Sequence, residues 1–264
     1  MQWEQLTAPN FARAVRETGV CIIAFGVLER HGDHLPLGTD CLNGHRLACL
    51  AAEKEAAVVF PLFYFGQIYE ARCFPGTVAL RPALLLEFVT TILDEVGRNG
   101  FHKIILLSAH GGNDSFLPFV TQSMLAEQKP YSVYCYERTV HDEDHADWNA
   151  ILETKEHGHA CECETSISLA NHPNIVRMDQ ISAPGQTKKR LDQLPHNFSG
   201  VSWYANYPEH YAGDARMASA EKGKRLQAIQ VGALANYIKA VKADKVVPAL
   251  EKEFFERVER VGKG

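Results

Sequence analysis

Val20-Cys-Ile-Ile-Ala-Phe-Gly-Val-Leu28 runs straight into Glu29-Arg-His31-Gly-Asp-His34-Leu-Pro-Leu-Gly-Thr-Asp40. The first part is an unbroken apolar run, the pattern of a strand covered on both faces, as in parallel sheets sandwiched between helices. The second part carries Glu29, His31, His34 and Asp40, each able to bind a cation, with glycines and a proline that keep the segment out of any regular element. Core packing gives no reason for four such groups at one strand end. A bound metal ion does.

Outward from this stretch the chain alternates. Asp40 can N-cap a helix over residues 40–56, with Leu47, Leu50 and Ala51 on one face. Residues 58–63 read as a second strand, followed by the aromatic loop 64–67. Pro82 opens an amphipathic helix in which Leu85, Phe88, Val89, Ile92 and Val96 keep helical spacing until Asn99-Gly100 ends it. Residues 103–108 form another buried strand, 115–128 a helix and 132–136 a further strand. This alternation predicts βαβ units, and so an α/β fold with a mostly parallel sheet flanked by helices. Past residue 140 the order weakens into a His/Cys-rich segment, a polar loop region over 183–213, a long helix over 219–242 and a charged amphipathic helix over 246–261. No linker, repeat or low-complexity tract divides the 264 residues, so one domain over 1–264 is expected.

Composition removes several function classes. A net charge of −5 with scattered basic residues leaves no footprint for nucleic acid or an anionic membrane. No apolar run is long enough to span a bilayer, and Met-Gln-Trp-Glu-Gln at the start lacks the layout of a signal peptide. Of seven cysteines, Cys21, Cys41, Cys49, Cys73 and Cys135 stand isolated, as free thiols of a reducing, cytoplasmic protein do.

In open α/β sheets ligands bind beyond the carboxyl ends of the strands. Besides 29–40, the strand 103–108 releases Ser108-Ala-His110-Gly-Gly-Asn113 at that end. A third cluster, His157-Gly-His159-Ala-Cys-Glu-Cys-Glu164-Thr-Ser, opens a short helix ending near Asn171. Histidines with carboxylates suit Zn²⁺ or Mn²⁺ rather than a thiolate-rich structural site, and a carboxylate such as Asp40 can bridge two ions. Simpler readings stand beside these. Asp40 can be only a helix cap, and His34 fits a hydrogen-bonding, supporting role. The Gly-Gly after His110 is also found in α/β-hydrolase oxyanion loops, but the Gly-x-Ser-x-Gly elbow of that class is missing. Cys161 and Cys163 read as inert thiols, ligands, or a nucleophile paired with His159. His141 and His145, in an acidic loop, are expected to be solvated.

Taken as a set, Glu-x-His-Gly-x-His-Leu-Pro-x-x-Thr-Asp at 29–40, Phe-Pro-Gly-Thr at 74–77, His-Gly-Gly-Asn at 110–113, His-Ala-x-x-x-Glu-Thr-Ser at 159–166 and Ala-Ser-Ala-Glu-Lys-Gly at 218–223 resemble the creatininase, or creatinine amidohydrolase, family. The resemblance covers nearly the whole chain in matching order. It implies a three-layer α/β/α sandwich, two divalent ions (zinc or manganese, with iron(II) also compatible) and a homo-oligomer, frequently a hexamer. It also implies that Glu29 binds one ion, His31 and His110 the other, and that Asp40 bridges them. His159 would contact substrate and move a proton, while Gly111, Gly112 and Asn113 line the pocket. One departure stands out. Where the enzyme that opens creatinine has a tyrosine and then a metal-binding glutamate, this chain has Gly111 and Gly112. Glu164 is the candidate for the missing carboxylate, and the expected substrate moves away from creatinine itself.

The aromatic segment 201–214 replaces a plainer family loop, and Trp203 and Tyr204 either face a ring-shaped substrate or pack a subunit interface. The expected reaction is hydrolysis of a small cyclic substrate, a cyclic amide or related ring. A metal-activated water attacks the carbonyl, and His159 and Glu164 act in catalysis. Relatives in the family also deformylate a pyrimidine, trim a cofactor-precursor peptide or cleave an oxidised inositol ring, so an oxidised cyclic polyol is the alternative substrate. A non-catalytic metal-binding protein and a Cys163–His159 thiol hydrolase are the alternatives from other classes.

Overall fold

Six residues of the apolar run, Val20–Phe25, form β1, and all six are buried. β1 lies inside a four-stranded sheet of order β2-β1-β3-β4, where β2 is Val58–Val59, β3 is Lys103–Ser108 and β4 is Ser132–Tyr136. Every pairing in this sheet is parallel. Cys21, Ile23 and Phe25 project to one side with Ile104 and Leu106, while Val20, Ile22 and Ala24 project to the other with Ile105 and Leu107. Both faces are covered, which is why these strands read as continuous apolar runs rather than alternating ones.

The first face is closed by α1 (Ala8–Thr18), α3 (Pro82–Arg98) and α4 (Asn113–Ser123), the second by α2 (Thr39–Lys54) and α8 (Ala220–Ala243). The result is the expected three-layer α/β/α sandwich, which the computed structural model describes over residues 1–136, 145–195 and 198–261. His141 lies outside the described residues. His145 begins α5 (His145–Ile151) and is exposed. Further along come β5 (His157–His159), α6 (Glu162–Asn171), α7 (Ser202–Asn206), β6 (Ala212–Gly213) and α9 (Val246–Val258), with β5 and β6 paired antiparallel. Among the described residues no helix is long and apolar enough to cross a membrane.

Some boundaries differ from expectation for local reasons. The strand predicted over 58–63 is only Val58–Val59, because Pro61 has no N–H to give a ladder; Phe63 rejoins β1 through one parallel bridge to Phe25. The helix predicted from Asp40 starts at Thr39 with Gly38 at its N-cap, which places Asp40 in the first turn with its carboxylate free for other work. Ser219 caps α8 by accepting from the Lys222 amide, and Gly223 then lets α8 lie on α6. A Cβ at Gly223 would stand 1.9 Å from the Ser166 carbonyl oxygen, so only glycine permits that approach.

The strand order fixes where a ligand belongs. From β1 the chain moves to β2 on one side and then returns to β3 on the other, so the order reverses between β1 and β3. The paired ends of these strands, Phe25 and Ser108, border that crevice, and ligands in such sheets bind there. The segments that leave it carry Glu29 and His110.

Candidate metal centre and cavity

Asp40 sits at the middle of the cluster. Its Oδ1 is 3.1 Å from His31 Nε2, and its Oδ2 is 3.2 Å from His110 Nδ1. Glu29 Oε1 is 2.8 Å from the same His110 Nδ1 and 3.8 Å from His31 Nε2. These ligand atoms converge in sets small enough for one ion each: Glu29, Asp40 and His110; His31, Asp40 and Glu164; and Glu29, His31 and His159. The expectation put His31 and His110 on one ion. In these sets His110 occurs with Glu29, His31 occurs with Glu164 in one and with Glu29 in another, and Asp40 occurs in two.

The donor set fits a pair of cations. Glu29 Oε1, Asp40 Oδ2 and His110 Nε2 are buried without a hydrogen-bond partner, although unmet buried polar atoms are expensive. His110 Nδ1 has one proton at most, yet two carboxylate oxygens face it. A divalent ion between them would satisfy both, and all donors are nitrogen or oxygen.

Electrostatics agree. Burial alone would raise the Glu29 carboxyl, but the charge of His110 and the hydrogen bond from His210 hold it well below the usual carboxylate range. Burial also opposes ionisation of Asp40, and His31, through its charge and its hydrogen bond, overcomes it. Burial would strip His31 of its proton, but Asp40 first and then Glu29 and Glu164 push it up to about 9. His110 is likewise held well above the ordinary histidine range, against burial, by Glu29 and Asp40. Without ions, buried imidazolium groups balance buried carboxylates, and the pocket is prepared for positive charge.

Around this centre lies a cavity of about 680 Å³. Its deep wall is Glu29, Asp40, His110, His159, Glu164 and His210, and its outer wall includes Tyr69, Phe116, Phe119, Phe198 and Trp203. His159 stacks over His31 with ring centroids 4.2 Å apart, and its Nε2–H donates to the Arg30 carbonyl oxygen at 2.8 Å. Nδ1 is therefore the nitrogen without the proton. Burial first, against the pull of Glu29, keeps the His159 pKa below its ordinary value, so the ring is neutral near pH 7. Glu164 also accepts from the Ala160 amide at 2.6 Å, which fixes the first turn of α6 against β5.

The remaining expected residues divide. His34 Nε2 lies 2.9 Å from Thr165 Oγ1 and so ties the 29–40 segment to α6, while burial, then the His31 charge, lowers its pKa to about 4. Gly111 and Gly112 line the cavity, as does Trp203. Asn113 does not. It is fully buried, donating to the Phe25 carbonyl oxygen and accepting from the Gln67 amide, so it pins the end of β1 to the loop before Phe74. Tyr204 is also outside the cavity lining, with its ring under the Arg190 guanidinium at 5.1 Å. Neither Cys161 nor Cys163 lines the cavity. Cys161 does have an activated thiol, lowered to about 6 chiefly by a hydrogen bond with Cys163, against burial and with help from His157.

His210 is a functional residue that sequence reading missed. Its Nδ1 accepts from Trp203 Nε1 at 3.0 Å, which leaves Nε2 protonated and donating to Glu29 Oε2 at 2.5 Å. Phe74 packs against the His210 ring and beneath the Arg30 guanidinium, which gives the Phe-Pro-Gly-Thr motif a physical purpose. Glu70 was missed as well. It faces His110 Nε2 at 3.8 Å and accepts from Gln67 Nε2 at 2.8 Å. No spacing in the sequence singles out either residue; a histidine with φ of +52° becomes visible only in three dimensions.

A sequence profile of the creatininase (creatinine amidohydrolase) family matches residues 4–238. The chain is 26% identical to the 3-dehydro-scyllo-inosose hydrolase of Thermotoga maritima, over 92% of this chain and 82% of that protein. It is 24% identical to the creatinine amidohydrolase of Pseudomonas putida, over 86% of this chain and 92% of that protein. A crystal structure of creatinine amidohydrolase superposes with a TM-score of 0.77 at 23% identity, covering 92% of this chain and 98% of that one. A manganese form of creatininase (TM-score 0.76, 23% identity) and a zinc–zinc form of a mutant (0.74, 24%) share the same fold, each over 92% of this chain and at least 98% of their own.

Proposed function

This chain belongs to the creatininase family and is a hydrolase, and we propose that it uses two divalent ions to hydrolyse a carbonyl group in a small cyclic substrate. The observation that carries this reading is Asp40: its two oxygens face different donor groups, one toward His31 and the other toward His110. Glu29 and His110 would hold one ion, His31 and Glu164 the other, with Asp40 shared. The ions would be zinc or manganese, and when bound they would supply water activation at neutral pH and polarisation of the carbonyl.

The chain's own side chains do the rest. His159 lines the cavity beside Glu29 as a neutral ring, and in the reaction it would take up the proton given up by water and return it to the leaving atom. His210 holds Glu29 in one orientation through its Nε2–H, and Trp203 fixes the tautomer that makes this work. Trp203 also offers a flat face to a ring, while the deep wall keeps polar groups for its carbonyl end.

A cyclic amide or related ring is the first substrate class. A ring bearing hydroxyls, such as an oxidised cyclic polyol, is the second, supported by Gln67, Tyr69, Ser115, Ser199 and Ser202 on the cavity wall and by the similarity to the inosose hydrolase. The test is to strip the protein with chelator, reload it with Mn²⁺ or Zn²⁺, and screen cyclic amides, lactones and keto-polyols. Hydrolysis that disappears with chelation and returns with metal is expected. Activity that survives chelation but is lost on thiol alkylation would overturn the proposal, as would two bound ions with no turnover on any class.

A further inference from the structure

Behind β5, apart from the cavity, three soft donors meet. Cys161 Sγ and Cys163 Sγ are 3.2 Å apart, and a His157 ring nitrogen joins them with all three ligand atoms within 4.8 Å of one another. Cys161 is 1% exposed, Cys163 half-buried and His157 exposed, so the group opens to solvent on the histidine side. It shares no residue with the carboxylate-rich centre. Two sulfurs and one imidazole nitrogen make a set that prefers thiophilic d¹⁰ cations and discriminates against Mn²⁺ and Mg²⁺, the reverse of the preference set by Glu29, Asp40 and Glu164. Cys161 also sits at the N-cap of α6, where free backbone amides favour a thiolate.

From this convergence we infer that His157, Cys161 and Cys163 form a separate cation site, for zinc(II) or copper(I), that fastens β5 to the first turn of α6. The consequence is mechanical. His159 ends β5, and Glu164 lies in the first turn of α6, so an ion at this site staples together the two elements that carry them. It would be a structural site next to a catalytic one, with a softer donor set. A three-donor site with an open side also exchanges its ion more readily than a closed four-ligand one.

The test starts from Mn²⁺-loaded full-length protein, titrated with Cd²⁺ under reducing conditions. The expected result is an ultraviolet thiolate-to-metal charge-transfer band that saturates at one equivalent, since no other described metal-capable group contains sulfur. Cys161→Ser and Cys163→Ser should each abolish the band. His157→Ala, at an exposed side chain, should weaken Cd²⁺ binding at least about tenfold. Zn²⁺ and, anaerobically, Cu⁺ should displace Cd²⁺, and competition against a chromophoric chelator gives their order; either order is consistent with the site. Zn²⁺ should also raise the Tm of the Mn²⁺-loaded wild type by more than that of His157→Ala, since exchange at the carboxylate centre is common to both. A band that fails to appear, one that persists at full strength in Cys163→Ser, or unchanged Cd²⁺ affinity in His157→Ala would refute the inference. So would isolated protein two hydrogens lighter, with Cys161 and Cys163 joined as a disulfide and still no Cd²⁺ band after reduction.

Discussion

Gly111 and Gly112 are neighbours that the surrounding space treats in opposite ways. A methyl group added at Gly111 would meet nothing within 4 Å. At Gly112 it would stand 2.1 Å from Gln67 Oε1, 2.5 Å from His110 Nε2 and 2.9 Å from the Gln67 carbonyl oxygen. The backbone at Gly112 is helical (φ −62°, ψ −20°), so alanine suits its dihedrals and only the collision matters. Nor can the neighbours easily yield. The Gln67 side chain is held by Glu70 and its amide by Asn113, while the His110 ring is held by Glu29 and Asp40.

Restoring normal contact therefore demands a movement of about 1 Å in the His110 ring or the Gln67 loop. Overpacking of this kind costs about 1–3 kcal/mol, and a metal ligand moved by more than about 0.5 Å no longer serves its ion. Gly112→Ala should lower the unfolding free energy of the metal-free protein by that amount and weaken the ion on the His110 side at least about tenfold. Gly111→Ala should stay within about 0.5 kcal/mol of wild type, keep both ions and change only KM, because the new methyl narrows the cavity. Denaturant unfolding, chelator competition and steady-state kinetics separate these outcomes. If Gly112→Ala binds both ions at wild-type affinity, or if the two variants are equally damaged, the reasoning from space around His110 is wrong.

Other consequences can be checked with the same instruments. Asp40→Ala should lose both ions and all turnover, and a variant that still holds two would end the case for a shared carboxylate. Glu164→Gln should weaken only the ion on the His31 side, leaving metal content near half; unchanged content by elemental analysis would return Glu164 to its structural bond with the Ala160 amide. His31 gives a pH dependence of definite sign. Its pKa is raised from 6.5 to about 9 in the folded, ion-free protein, so the stability it contributes is complete below pH 6.5 and lost as pH rises through about 9. A cation needs the neutral ring, so metal affinity should climb over that same interval, by about tenfold per pH unit for each proton displaced. Flat affinity from pH 6.5 to 9 would show that His31 gives up no proton on binding.

The sandwich could be read from the sequence because its strands are covered on both sides. Residues 20–28 and 103–108 are continuously apolar for that reason, and their separation by amphipathic helices leaves few ways to connect them. Local chemistry likewise exposed Glu29, His31, Asp40 and His110, which leave strand ends within short, glycine-punctuated segments. Glu164 was reached by elimination, and its carboxylate lies within 4.8 Å of ligand atoms of His31 and Asp40. What stayed hidden depends on long-range contact. His210 meets Glu29 across 181 positions of sequence, and Trp203 selects its tautomer through one hydrogen bond. Asn113 looked like a pocket residue because it follows the glycines, yet both ends of its amide are spent on Phe25 and Gln67. Tyr204 shares an aromatic segment with Trp203, but within the short α7 its ring is directed to Arg190.

The departure at Gly111-Gly112 now has a physical account. The family resemblance implies a metal-binding glutamate at the second of these positions, and here a side chain can begin there only by displacing Gln67 or His110. Even its Cβ would overlap Gln67 Oε1 and the edge of His110. Gln67 and Glu70 occupy that flank of His110, with Glu70 facing Nε2 at 3.8 Å, so the space is already filled by a different pair of polar side chains. On the proposed two-ion reading, a carboxylate for the second ion would approach from elsewhere, and Glu164, in the first turn of α6, lies in one set with His31 and Asp40. The first glycine faces open cavity. On the proposed two-ion reading, the two glycines leave the donor groups around Asp40 in place and keep the space in front of them open for the substrate.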